Sequence, residues 1–330
     1  MDKDGKREHF FIINPRSFPR KGEQESIISH IEAYFAAKRV PGLFYHVSRY
    51  PRDAISVLRK YLSLTGPDTI VRVYAVGGDG ITFDCLNGIV GLPNAELAIL
   101  PYGGGSDFVR AFGEDYYEDF RNIQLQVEAP AIPTDIIHCG NNYALNFCTV
   151  GQESAAVMKI LPLNKRFDKI RLMFPVLNSL FYILGGIAAA FDKKIIGQHY
   201  ELRADGLDYS GQYNDINVAN GPCYGAGKSP VATAVPDDGF LDMMVVRKLG
   251  PLKVLGLMSH YFRGEYYKYP KHCFLRRVKK ITIRSEDPLL VNMDGEAFFD
   301  SRVTIEIIPH AVRIAAVNNL SYRRRMDFRE

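Results

Sequence analysis

The run Ile70-Val71-Arg72-Val73-Tyr74-Ala75-Val76, followed by Gly77-Gly78-Asp79-Gly80 and then by Ile81–Ile89, decides how this chain is read. A short apolar run rich in β-branched residues suits a strand buried on both faces. Glycines let the backbone approach an anion closely. A helix that starts there adds free N–H groups and the positive end of its dipole. The plainer alternative is a tight strand–helix turn without a ligand. Three glycines around one aspartate, directly after the strand, favour phosphate binding.

Working outward, strand and helix alternate through the first third. His9–Asn14 and Leu43–Ser48 read as strands. Gly22–Lys38 reads as a helix with Ile27, Ile28, Ile31, Tyr34 and Phe35 at helical spacing, and Arg52–Leu64 as a second helix. Glu96–Leu100 is a fourth strand and runs into Pro101-Tyr102-Gly103-Gly104-Gly105. Such alternation predicts a parallel sheet with helices on both faces, and both glycine loops then lie at carboxyl ends of strands, where ligands bind. Neither loop is a P-loop, since no Gly-Lys-Ser/Thr follows, and neither has the G-x-G-x-x-G spacing of dinucleotide sites.

Around Ala129–Pro133 the pattern changes. Thr134–Cys139 and Tyr143–Val150 flank the turn signal Gly140-Asn141-Asn142. Two helical stretches follow, Gln152–Leu161 and Leu172–Phe191. Then come strand-like segments at Ile195–Arg203, Tyr209–Ala219, Phe240–Arg247, Lys280–Ser285, Leu289–Met293, Val303–Ile308 and Val312–Val317, with a helix at Leu252–Arg263. The predicted fold is α/β in two domains. Residues 1–132 form a parallel-sheet nucleotide-binding domain, and residues 133–317 a mostly antiparallel, β-rich domain with inserted helices. The tail 318–330 is expected to pack back on the first domain, and the active site to lie in the cleft between the two.

The chain has 330 residues, of which 47% are hydrophobic and 24% charged, so a disordered or low-complexity chain is excluded. Its net charge of +4 is too small to argue for nucleic acid, though it allows a local basic face toward anionic lipid or phosphate. The five cysteines are odd in number, widely spaced and without a CxxC pair, which fits a reducing cytosol better than a disulfide framework or a zinc site. No signal peptide is expected, because the apolar core His9–Ile13 is too short. Leu172–Phe191 carries no charge and is long enough to span a bilayer as a helix. It also holds Pro175, Asn178, Ser179 and Gly185-Gly186, so it is read as a helix buried in protein or lying on a lipid surface. Lys165, Arg166, Lys169, Arg171, Lys193 and Lys194 flank it. Arg276, Arg277, Lys279 and Lys280, and then Arg323–Arg325, form further basic groups.

Two acidic turns stand out. Asn292-Met293-Asp294-Gly295-Glu296 sets two carboxylates around a tight bend, where paired carboxylates can accept a substrate proton or hold a metal. Asp237-Asp238-Gly239-Phe240 offers oxygen ligands suited to magnesium, and reads equally well as a solvated acidic loop.

With these motifs in order, the chain resembles the diacylglycerol kinase catalytic family, which includes bacterial soluble lipid kinases and the sphingosine and ceramide kinases. Ile12-Ile13-Asn14-Pro15-Arg16-Ser17 resembles its Asn-Pro-x-Ser strand end, and Val76–Gly80 its GGDG loop. Leu100–Phe108 resembles its Pro-Leu-Gly-Thr-Gly-Asn-Asp-Phe segment. Ala219-Asn220-Gly221, Tyr224-Gly225-Ala226-Gly227, Pro230-Val231-Ala232, Asp238-Gly239 and Asp294-Gly295-Glu296 resemble its second-domain signature. The resemblance implies ATP and Mg2+ as cofactors and a lipid hydroxyl as acceptor, with diacylglycerol foremost. Nucleotide contacts would fall on Asn14, Pro15, Arg16, Ser17, Ser48, Gly77, Gly78, Asp79, Gly80, Ile81, Thr82, Phe83 and Gly104. Glu296 would be the general base, with Asp294 beside it and Asp79 at the phosphates. A structural magnesium would use Asp238 and the carbonyls of Val235 and Phe240. The chain departs from the family pattern at Ile81 and Gly104, where threonine is usual, and at Ser106, where asparagine is usual. Each change removes a side-chain donor near phosphate. A lipid-kinase-like protein that binds lipid or nucleotide without turnover is therefore an alternative; an NAD kinase-like enzyme, which shares a GGDG loop, is another. The expected partners are a lipid substrate and, transiently, a membrane surface, with the protein cytoplasmic and peripheral. A homodimer is compatible with the sequence but not specified by it.

Overall fold

The computed structural model describes residues 6–103, 105–166, 176–225 and 227–322. Lys169, Arg171, Leu172–Pro175, Gly104, Ala226 and Arg323–Arg325, singled out above, lie outside these. The chain divides into two compact units. One runs from the start of the chain to Thr134 and takes in His310–Tyr322; the other spans Asp135–Pro309.

In the first unit the parallel strands β1 (Arg7–Ile13), β2 (Leu43–Val47), β3 (Ile70–Gly77) and β4 (Ala95–Pro101) lie in the order β4-β3-β1-β2. Helices α1 (Glu23–Lys38), α2 (Asp53–Leu64) and α3 (Asp79–Ile89) connect them, and the short α4 (Ile123–Glu128) follows. Strands β1, β3 and β4 bury almost every side chain, as their continuous apolar runs require, whereas the edge strand β2 leaves Phe44 and Tyr45 exposed. Arg72 interrupts β3 and is fully buried. It donates to Glu96 Oε2 at 2.7 and 3.0 Å and to the carbonyls of Gln126 and Val127 at 2.8 and 3.1 Å, so its charge is paired and its donors are used. The phenol of Tyr74 stacks on Phe11 at 4.0 Å and bonds His9 Nδ1 at 2.7 Å. Burial lowers the His9 imidazole to about 4, so it is neutral at ordinary pH.

The second unit is built on antiparallel pairing. Its strands are β5 (Ala131–Cys139, beginning in the first unit), β6 (Asn142–Ala144), β7 (Phe147–Gly151), β8 (Gln198–Ala204), β9 (Leu207–Asp208), β10 (Gly211–Ala219), β11 (Leu241–Arg247), β12 (Cys273–Val278), β13 (Lys280–Met293) and β14 (Glu296–Ala315). The order β12-β11-β10-β7-β13-β14 runs through the sheet, and β8 pairs with β10 and β13. The end of β14 belongs to the first unit, where Ile314 pairs in parallel with Leu97 of β4. Helices α5 (Gln152–Arg166), α6 (Val176–Ala190) and α7 (Pro251–Phe262) are the insertions.

Several expectations shift here. The segment Tyr143–Val150 is two strands, because the amides of Leu145, Asn146 and Phe147 turn away to bind the Asp294 carboxylate. Lys280–Ser285 and Leu289–Met293 are one strand with a bulge between Arg284 and Leu289. β12 had no strand expectation. Its sequence shows no alternation, and it is a strand through its antiparallel pairing with β11, from Cys273 opposite Val246 to Val278 opposite Leu241.

Candidate active site

Asn14, Ser48, Gly77 and Tyr102 each follow or close one of the four neighbouring parallel strands, so their backbones share the carboxyl end of the sheet. Asn14 Oδ1 accepts from Arg16 N at 3.1 Å and caps the turn Pro15–Ser17, leaving Arg16 exposed. Gly77 is packed so tightly that a Cβ there would meet Ser17 Oγ and Ile81 Cγ2 at 2.8 Å. The hydroxyl of Ser48 is buried with no hydrogen-bond partner. Gly78 caps α3 without a side-chain bond, and Gly80 is exposed with open space around it, so the first amides of α3 are accessible. An orphan hydroxyl and an open helix N-terminus at one sheet end fit a triphosphate.

Asp79 joins the two glycine loops. Its Oδ2 accepts from Ser106 N at 3.0 Å and its Oδ1 from Asp107 N at 2.9 Å, while Ser106 Oγ donates to the carbonyl of Gly77 at 3.0 Å. A Cβ on Gly103 would lie 2.2 Å from Gly78 Cα, and one on Gly105 would lie 2.2 Å from Asp79 Oδ2. These glycines are therefore required by contact between the loops as well as by any ligand. Of the other expected nucleotide contacts, Ile81 and Phe83 are buried in the core, and the Thr82 hydroxyl donates back to the carbonyl of Gly78 at 3.2 Å. The Ile81 and Thr82 side chains instead meet Gly77 and Gly78 of the loop itself. Thr82 thus does not replace the hydroxyl missing at Ile81.

In the second unit, Asp294 and Gly295 form the two-residue turn between β13 and β14, with φ of 47° and 96°. These are the angles of a type I′ hairpin. The buried Asp294 carboxylate accepts from Leu145 N at 2.7 Å, Asn146 N at 3.1 Å and Phe147 N at 3.0 Å. It anchors the turn. Glu296, two residues on, opens β14 and is exposed.

The Asp237–Phe240 loop is held by its neighbours. Asp135 Oδ2 accepts from Gly239 N at 2.7 Å, Asp238 Oδ1 from Phe240 N at 3.1 Å, and the Val235 carbonyl from Asp237 N at 2.9 Å. The Arg277 guanidinium pairs with Asp238 and lies over the Phe240 ring at 4.3 Å. Burial pushes the Asp238 carboxyl up, and Arg277 opposes that shift. A magnesium ion using Asp238 would have to compete with Arg277. Among the described residues, no three His, Cys, Asp or Glu side chains converge as a metal site.

A feature that the sequence did not disclose lies among α5, α6, α7 and β10–β12. An apolar cavity of about 120 Å³, open to solvent on one side, has walls that include Ala156, Val254, Leu257 and Met258. Its polar lining includes Glu153, Asp215, His260 and His272. Glu153 Oε2 accepts from the hydroxyls of Tyr261 at 2.7 Å and Tyr224 at 2.8 Å, and from Asn217 Nδ2 at 3.3 Å. Asp215 Oδ1 accepts from Glu153 N at 3.0 Å. Burial pushes the Glu153 carboxyl up to about 7, against the lowering pull of the two phenols. Burial and then the charge of Glu153 push Asp215 well above the carboxylate range. In sequence Glu153 is an ordinary acid in the first turn of a helix, and Tyr261 an aromatic on another. Only Tyr224 fell within a quoted motif, so no local signal links them.

Residues 8–139 match the family model of the diacylglycerol kinase catalytic domain, and residues 163–316 match that of the YegS C-terminal NAD kinase beta sandwich-like domain. Among curated proteins, the chain is 25% identical over 257 residues to a "putative lipid kinase" of Staphylococcus aureus strain JH9, covering 75% of this chain and 78% of that one, and equally to one of strain N315. A crystal structure of a "putative diacylglycerol kinase" from Bacillus anthracis strain Sterne has the same fold, with a TM-score of 0.74 at 23% identity, covering 96% of this chain and 97% of that one. With one family model on the first domain and the other on most of the second, the chain belongs to the diacylglycerol kinase catalytic family, a family of lipid kinases.

Proposed function

We propose that this protein is an ATP- and magnesium-dependent lipid kinase that transfers the γ-phosphate to the hydroxyl of diacylglycerol, giving phosphatidate. The observation that carries the acceptor side is the apolar cavity with its carboxyl–phenol cluster, which suits a molecule with a long apolar body and one polar end. On the donor side, the open first turn of α3 and the Ser48 hydroxyl offer donors to a triphosphate. Asp79 holds the second glycine loop against the first and so keeps both in register. Magnesium bound with the nucleotide would neutralise charge developing on the transferred group. Glu296, exposed and carried on a turn that Asp294 anchors, takes the proton of the attacking hydroxyl. The acceptor is a membrane lipid, so the protein works at a membrane surface.

Transfer of radiolabelled phosphate from ATP to neutral lipids in mixed micelles, with and without magnesium, tests the reading. Diacylglycerol should be labelled only with magnesium. Glu296→Gln should lower turnover by about 10²–10⁴-fold with nucleotide affinity unchanged. A second reading, binding without turnover, has one observation in its favour: Ile81 is buried and Thr82 is bonded to its own helix, so neither supplies a hydroxyl to phosphate. Nucleotide binding with no labelled lipid in any micelle would establish that reading instead.

A further inference from the structure

Helix α6 is built inside out for a protein in water. Its small residues face its neighbours: a Cβ on Gly185 would meet Ile160 Cγ2 at 2.6 Å and the carbonyl of Ala156 at 2.8 Å, both on α5, and one on Gly186 would meet Met258 Sδ of α7 at 3.2 Å. Ala189 and Ala190 are buried on the same side. The large apolar side chains face outward instead. Leu180, Ile183, Leu184, Ile187 and, one residue past the helix, Phe191 are 36–54% exposed. At 100° per residue they fall within one stripe about 100° wide. Small residues against protein and large aliphatic ones outward is the arrangement of helices that meet lipid. The stripe is also the outer side of a cavity wall, since Gly186 and Ala189 line the cavity from the same helix.

We propose that this stripe docks on the lipid bilayer, lying in the interface with its side chains among the upper acyl chains. Fifteen residues span about 22 Å, short of the roughly 30 Å hydrocarbon core, so α6 lies along the surface and does not cross it. Charge favours an anionic lipid surface over a protein partner. No charged residue occurs from Val176 to Phe191, the exposed Lys193 and Lys194 follow directly, and the one carboxylate there, Asp192, is paired with Lys159 at 2.8 Å. The proposal extends the lipid-kinase reading by naming the membrane-facing residues. It is tested without nucleotide, so that a failed kinase assay and a failed docking assay remain distinct.

The test is cosedimentation of the full chain with phosphatidylcholine vesicles, with and without phosphatidylglycerol. The expected result is binding that rises with phosphatidylglycerol and that weakens about tenfold or more in a Leu184→Ser/Ile187→Ser variant with an unchanged melting temperature. The chain has no tryptophan, so the emission of Leu184→Trp reports this position alone and should shift to the blue on adding vesicles, even if the double variant folds poorly. Absence of vesicle binding by the unaltered protein, unchanged binding by the folded double variant, or an unmoved tryptophan emission would overturn the proposal. So would a dimer in solution that the double variant disperses while vesicles fail to compete with it, since the stripe would then belong to a second copy.

Discussion

Asp79 and Glu153 are both carboxylates in the first turn of a helix that follows a buried strand, and their surroundings could hardly differ more. Asp79 is met by backbone amides of the adjoining loop, one on each oxygen. Glu153 is met by side chains from three distant elements, in an apolar cavity, with Asp215 as a second carboxyl nearby. The first arrangement stabilises an anion through fixed dipoles. The second disfavours one, which is why the Glu153 carboxyl is lifted to about 7. A carboxylate at a helix start is therefore not one kind of site. What approaches it from elsewhere in the chain decides whether it is a rigid anchor or a titrating group.

The largest effect should come from breaking the rigid side. Gly103→Ala places a methyl 2.2 Å from Gly78 Cα, backbone against backbone, so the loops must separate. A loss of about 3 kcal/mol or more in urea unfolding is expected. A variant as stable as the parent would show that the loops do not press on each other. Next is Asp294→Asn. Asparagine tolerates the left-handed backbone at φ 47°, so the change isolates the carboxylate, which loses one acceptor oxygen among three amides. About 2–3 kcal/mol should be lost, visible in the same assay. An unaffected variant would mean that the anchor is the turn itself.

The titrating side gives a smaller effect with opposite sign. The folded value of Glu153, about 7, lies above its ordinary value of 4.5, so its favourable contribution is complete below pH 4.5 and is lost as pH rises through 7. Glu153→Gln mimics the neutral acid. It should match the parent near pH 4.5 and exceed it at pH 8 by about 2 kcal/mol, after discounting for the cavity's opening to solvent. Parallel stability curves for the two proteins from pH 4.5 to 8 would remove Glu153 from the titrating class. Smallest of all, Asp238→Ala should cost about 1 kcal/mol or less, because its partner Arg277 is partly exposed. Added magnesium should raise the melting temperature of the parent and not of this variant only if the ion displaces Arg277.

The same contrast explains what was legible beforehand. The strand Ile70–Gly77, the glycines after it and the helix from Asp79 are contiguous, and each residue's role follows from local backbone needs. The turn Asp294-Gly295 was legible for the same reason. That Asp294 would spend its carboxylate on residues 145–147 was not, because the partners are nearly 150 positions away and contribute only amides, which any sequence has. Glu153, Tyr224 and Tyr261 meet across more than 100 positions and look ordinary at each of them. Leu172–Phe191 was correctly singled out as apolar and uncharged. Which of its residues turn outward depends on glycines fitting α5 and α7, and so on packing.

The residues His310–Tyr322 bear on how the molecule is made. They complete the first unit: Ile314 lies beside β4, and the Tyr322 ring packs on Phe108 and Phe112 with its hydroxyl 2.5 Å from Thr134 Oγ1. On the ribosome, the nascent first unit must wait for the 175 residues between Thr134 and His310 before its last strand arrives. At about 5–20 residues per second that delay is roughly 10–35 s. During it the edge of β4 has no neighbour on that side, and an open strand edge is a template for pairing with another chain. The order of synthesis thus leaves one edge of the first sheet open for longer than the order of its own helices and strands would require.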